Sequence, residues 1–113
     1  MAKLFGTDGI RGVAGKNLTA ELAYHVGQAV CTVLQEKLAR KVRITIGKDT
    51  RISSDMLESA LCAGICSVGG DVVLLGTIPT PAVAFLTVQQ ECDAGIVISA
   101  SHNSGEYNGV KCY

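Results

Sequence analysis

A chain of 113 residues, 48% apolar and 18% charged, is long enough for one domain with a real core and too apolar for intrinsic disorder. Ten Lys and Arg balance ten Asp and Glu, and there are three Tyr, two Phe and no Trp. This excludes both the basic excess of a phosphate-backbone binder and a base-stacking platform. No apolar stretch approaches the roughly 20 residues of a membrane span. The start, Met1-Ala2-Lys3-Leu4-Phe5-Gly6-Thr7-Asp8, lacks the apolar core of a signal peptide, so the expectation is a cytoplasmic protein with no nucleic-acid or membrane partner.

From Leu4 to Lys16 the chain carries Gly6, Gly9, Gly12 and Gly15 and reads as a looping segment. Thr19 then looks like a helix cap, with Glu21 in the first turn, where the helix dipole favours a carboxylate. Leu22, Val26, Ala29, Val30, Val33 and Leu34 recur at helical spacing, which predicts a helix to about Leu38. Val42-Arg43-Ile44-Thr45-Ile46 alternates and is β-branched, so it predicts a strand, followed by a polar loop, Gly47-Lys48-Asp49-Thr50-Arg51. Ser53 or Ser54 caps a second helix, with Leu57, Leu61, Ile65 and Val68 on its buried face and Gly69-Gly70 at its end. A strand at Val72-Val73-Leu74-Leu75 ends at Gly76. Thr80-Pro81 starts a short helix over 81–88. An apolar strand over 94–98 and a fourth, short one at Gly109-Val110-Lys111-Cys112 complete the chain. The expected fold is a single domain over 1–113, a three-layer α/β/α sandwich around a mostly parallel, mixed, four-stranded sheet. Its apolar strands are expected to be buried on both faces.

The five cysteines, Cys31, Cys62, Cys66, Cys92 and Cys112, form no CxxC pair. With only His25 and His102 as further soft ligands, they read as small apolar core thiols in a reducing compartment.

In open α/β sheets, sites form beyond the carboxyl ends of the strands. Three polar segments fall there: Gly47 to Arg51, Gly76 to Thr80, and Ser99-Ala100-Ser101-His102-Asn103. The last is the sharpest, because Gly95-Ile96-Val97-Ile98 runs straight into it. Ser101 is a candidate nucleophile, with His102 and Asn103 beside it. Neighbours in an extended chain point in opposite directions, so His102 is poorly placed to deprotonate Ser101. Lys111 could fold back, as a base if desolvated or as a phosphate-holding cation if charged; a solvated lysine after a turn is the plainer alternative. Arg11, flanked by glycines, offers a fork suited to phosphate or a structural pairing with an acid such as Asp49. Arg51 reads as a salt bridge pinning its loop. No G-x-S-x-G elbow, dinucleotide fingerprint or P-loop is present.

Phe5-Gly6-Thr7-Asp8-Gly9-Ile10-Arg11-Gly12, Gly47-Lys48-Asp49-Thr50-Arg51 with Ser53-Ser54, and Ser99-Ala100-Ser101-His102-Asn103 with Asn108-Gly109-Val110-Lys111 occur in this order. Together they resemble the first domain of the α-D-phosphohexomutases over essentially the whole chain. The opening loop is similar to that of the glucosamine-phosphate branch. The resemblance implies that Ser101 carries a phosphoryl group, donates it to a hexosamine monophosphate and recovers one from the bisphosphate, interconverting glucosamine 6-phosphate and glucosamine 1-phosphate for cell-wall precursors. It implies a Mg2+ ion bound through the Ser101 phosphate, Lys111 in proton transfer, Arg11 near the reacting phosphate, and His102 and Asn103 shaping the serine segment, with Arg11, Asn103 and Lys111 on phosphate. The same pattern admits phosphoglucomutase or phosphomannomutase activity.

This sequence departs from the family in having Ser104 where a proline is usual, and Gly105-Glu106-Tyr107 in place of a more aromatic stretch. Family members have four domains; the aspartate metal motif, the sugar pocket and a further phosphate loop belong to domains 2–4, and no Asp-x-Asp-x-Asp stretch occurs here. The chain is therefore expected to be the N-terminal phosphoserine domain of a larger enzyme, inactive alone and prone to self-association through uncovered apolar surface. A stand-alone phosphosugar-binding or interaction module is the alternative.

Overall fold

The computed structural model describes residues 10–13, 19–50, 53–98 and 107–112. In chain order they form β1 (Ile10–Val13), α1 (Ala20–Leu38), β2 (Arg43–Lys48), α2 (Ser54–Ser67), β3 (Asp71–Thr77), α3 (Thr80–Gln89), β4 (Ala94–Ile98) and β5 (Tyr107–Cys112). The strands make one mixed five-stranded sheet in the order β1-β5-β4-β2-β3. β2 runs parallel to β3 and β4, while β5 is antiparallel to both β4 and β1. The sheet thus has one strand more than expected: Ile10–Val13, which its glycines mark as a loop, pairs with Tyr107–Cys112.

The three layers follow from chain handedness. From β2 the chain steps through α2 to β3 on one side, then returns through α3 past β2 to β4 on the other. A right-handed crossover in each direction puts its helix on the opposite face. Strand alternation shows the result. Ile44, Ile46, Ala94, Ile96 and Ile98 join Ala23, Val26 and Cys31 of α1 and Leu57, Leu61 and Ile65 of α2 in one buried cluster. On the other face α3 lies against β2 and β4, and Thr45 meets Thr87 at 2.6 Å. Thr87 spends its proton on the Val83 carbonyl at 2.6 Å, so Thr45 donates to Thr87 and both buried hydroxyls are satisfied. Burying each large aliphatic side chain of the main cluster contributes about 1.5–3 kcal/mol.

Local signals set the element ends. The Thr19 hydroxyl accepts from Leu22 N–H at 3.1 Å, with Glu21 in the first turn and Lys37 in the last. Gly69 after α2 takes φ +91, a left-handed value that glycine adopts without a Cβ penalty. α3 begins at Thr80, with Pro79 rather than Thr80 at the cap position. β3 continues through Gly76 to Thr77: the register slips there, and Gly76, at φ +77, absorbs the bulge.

Two expectations are corrected. β3 is an edge strand and is not buried on both faces; Leu74 is 54% exposed. Of the described cysteines only Cys31 is a core thiol, since Cys62 and Cys92 are half-buried and Cys66 is exposed.

Asp93 staples the amino ends of the parallel strands. Its carboxylate takes two hydrogen bonds from Arg40 past the end of α1, at 2.5 and 3.1 Å, and one from the Arg43 backbone N–H at 2.9 Å. The Arg40 contact, helped by Arg43, holds the Asp93 carboxyl below its ordinary value. A carboxylate lowered in the folded state stabilises fully above its unfolded value of about 4, and that contribution is lost as pH falls toward the lowered value. Asp93→Asn should therefore flatten the acid limb of stability below about pH 5, read as melting temperature against pH. An unchanged slope would remove Asp93 as a source of that limb.

Candidate functional site

The crevice predicted at the carboxyl ends of the strands is where the sheet changes direction. β2 is the strand from which the chain leaves toward β3 on one side and to whose other side it returns as β4, the arrangement that opens a ligand crevice in α/β sheets. Lys48 closes β2 in register with Ile98 of β4 and Thr77 of β3. Just beyond, Asp49 N–H donates to the Ile98 carbonyl at 3.1 Å and Ile78 N–H to the Lys48 carbonyl at 3.1 Å. The segments after β2 and β3 therefore leave the sheet side by side, and β4 ends beside them at Ile98.

Ser101, His102 and Asn103 lie outside the described residues, as does Arg51. The segment that carries the serine begins directly after Ile98, one register step from Lys48. Arg11 and Lys111 fall on the two antiparallel strands on the same side of β4. Arg11 is opposite Gly109, and Lys111, two positions along, is opposite Val97. The backbone thus brings the opening motif and the Asn108-Gly109-Val110-Lys111 motif, remote in sequence, onto one ladder, and ties that ladder to β4, the strand that leads into the serine.

The sequence reading missed the role of Lys48. It belongs to β2 rather than to a loop, and its ammonium, 17% exposed, bridges Asp55 at 2.5 Å and Glu58 at 3.1 Å. Those two hydrogen bonds, Asp55 first, push the Lys48 pKa upward, so the group stays charged at neutral pH. Asp49 accepts from the buried Ser54 hydroxyl at 2.8 Å. Together these contacts lock the first turn of α2 to the end of β2 and fix the wall of the crevice. The available signal was Asp55 and Glu58 three apart on one helix face.

Among the described residues no group of three or more His, Cys, Asp or Glu side chains is gathered in a way that could hold a metal ion, and no helix is long and apolar enough to cross a membrane. The described part of the crevice offers fixed backbone and one neutralised cation.

A family model described as phosphoglucomutase/phosphomannomutase, alpha/beta/alpha domain I, matches residues 2–113. Over all 113 residues the chain is 60% identical to a phosphoglucosamine mutase of Ruminiclostridium cellulolyticum and 58% identical to one of Clostridium botulinum, and in each case it spans 25% of the relative's length. A solved structure of a phosphoglucomutase/phosphomannomutase family protein from Burkholderia thailandensis superposes with a TM-score of 0.82 at 31% identity, over 99% of this chain and 26% of that one. A second, from Thermus thermophilus, gives a TM-score of 0.87 at 33% identity, over 96% of this chain and 24% of the other.

Proposed function

Because the chain belongs to the phosphoglucomutase/phosphomannomutase family, as its α/β/α domain I, we propose that it supplies the phosphoserine domain of an enzyme that interconverts glucosamine 6-phosphate and glucosamine 1-phosphate. The observation that carries this reading is the 60% identity over the whole chain to a protein named phosphoglucosamine mutase. The strand register supports it, since Lys48 is opposite Ile98, the last described residue before the Ser101 segment, and Lys111 is opposite Val97.

In this reading the Ser101 oxygen carries a phosphoryl group. A hydroxyl of the bound sugar monophosphate attacks that phosphorus, the bond to Ser101 breaks, and a bisphosphate forms. After the sugar turns over, the other phosphate returns to Ser101. Phosphoryl transfer asks mainly for alignment and charge neutralisation. Arg11 holds phosphate, Lys111 takes the hydroxyl proton when neutral and returns it, and His102 and Asn103 shape the serine segment. Magnesium, when bound, neutralises phosphoryl charge. The described residues do not fit a magnesium cage, so its remaining ligands are assigned to domains 2–4, along with the sugar pocket. The setting is cytosolic, where sugar phosphates are made.

The test is a chimera in which this chain replaces the matching first quarter of the Ruminiclostridium enzyme. It is expected to turn over glucosamine 6-phosphate within about tenfold of the parent, a barrier change under about 1.4 kcal/mol, and the 113-residue chain alone is expected to show no turnover. A folded but inactive chimera, or turnover by the chain alone, would overturn the reading. A chimera that prefers glucose or mannose phosphates would reassign the sugar.

A further inference from the structure

We propose that Cys62 and Cys66 form a two-thiol site for a soft, thiophilic centre that is satisfied by two sulfur donors, with trivalent organoarsenic the class that suits it best. The two residues sit four apart on α2, so successive turns bring them to one side of the helix. Both line an open groove of about 480 Å³ that is bordered also by the apolar Val72 and Leu74 of the edge strand β3 and the charged Arg43 and Asp71. Cys66 is exposed and Cys62 half-buried, so an incoming reagent meets the outer thiol first and the inner one behind it.

The ligand class follows from donor number and protonation. Structural zinc takes four protein ligands and catalytic zinc three, and no such group exists among the described residues. Soft centres accept fewer and prefer sulfur. Burial, and then Cys66 and Glu58, raise the pKa of Cys62, so this thiol keeps its proton at neutral pH. An organoarsenic oxide suits such a pair because it brings its own proton acceptor. Two S–H bonds break, two As–S bonds form, and the oxide oxygen leaves with both protons as water, with no change of oxidation state. Cys31 is fully buried in the core cluster, which leaves it out of reach.

The probe is one equivalent of phenylarsine oxide added to the reduced chain. Intact mass is expected to show one phenylarsenic group gained with one water lost. The free-thiol count should fall by two, and the adduct should map to the peptide that contains Cys62 and Cys66. Linking two donors multiplies affinity by about 10² or more over one, so Cys66→Ser should weaken capture by at least about 10²-fold, while Cys92→Ser leaves it unchanged. Cys66 is exposed, so its serine variant keeps the fold and the test stays readable even where Cys62→Ser does not fold. An unmodified chain, an adduct on other cysteines, or undiminished capture by Cys66→Ser overturns the site.

Discussion

Replacing Ser101 by alanine in the chimeric mutase is expected to lower turnover by at least about 10⁴-fold, the scale on which removal of a covalent nucleophile acts. Alanine has no atom that can carry the phosphoryl group, so in the proposed reading the loss falls on the chemical step and not on substrate binding. The readouts are turnover of glucosamine 6-phosphate and the intact mass of the resting enzyme. The alanine variant should lose both activity and any serine-bound phosphate while its KM stays near the starting value. Turnover within tenfold of the unsubstituted chimera would reject Ser101 as the phosphoryl carrier.

The second large effect concerns the seam between α1 and α2. A Cβ on Gly64 would stand 2.1 Å from the Tyr24 carbonyl oxygen and 3.1 Å from Gln28 N, and one on Gly27 would stand 2.6 Å from the Leu61 carbonyl oxygen. The two helices therefore touch backbone to backbone through facing glycines. Alanine is the better helix former by about 1 kcal/mol, so propensity alone favours Gly64→Ala. The clash is with main chain, which no rotamer change relieves, and it forces the helices apart over Val26, Leu61 and Ile65. Overpacking of this kind costs about 1–3 kcal/mol and sometimes more, and with no side chain able to yield we expect the upper end, a net loss of about 2 kcal/mol. That corresponds to a fall of roughly 8–16 °C in Tm for a domain near this size. Gly69→Ala is the control: it meets no atom within 4 Å and bears only the strain of φ +91, about 1–2 kcal/mol. An unchanged Tm for Gly64→Ala would show that the helices can move apart at no cost.

The sequence made the parallel half of the fold readable and the antiparallel half only partly so. Thr19, the alternation at Val42 to Ile46, and the apolar run into Ile98 are local signals, and each marks an element near its observed bounds. β1 escaped because Gly12 breaks the alternation between Ile10 and Val13; its strand conformation comes from a partner, Tyr107–Cys112, which no local window contains. The apolar run at Val72 read as a central strand, but strand order is fixed by the two crossovers, which put β3 at the edge. The candidate site divided in the same way. Its location followed from where apolar strands end in polar segments. The engagement of Lys48 depended on how α2 docks against β2, and that depends on tertiary packing.

The ladder between β1 and β5 has a kinetic meaning. Ile10 pairs with Val110, so this contact closes nearly the whole chain into a loop, whereas β2, β3 and β4 are joined through short crossovers. Closure entropy grows with the length closed, and non-local pairings are the slow ones to form. The strand that carries Arg11 precedes its partner by nearly 100 residues of this chain, so its pairing is expected to form after the parallel strands and their helices. Arg11 and Lys111, two positions beyond its partner residue Gly109, are brought onto one ladder by this long-range strand pairing.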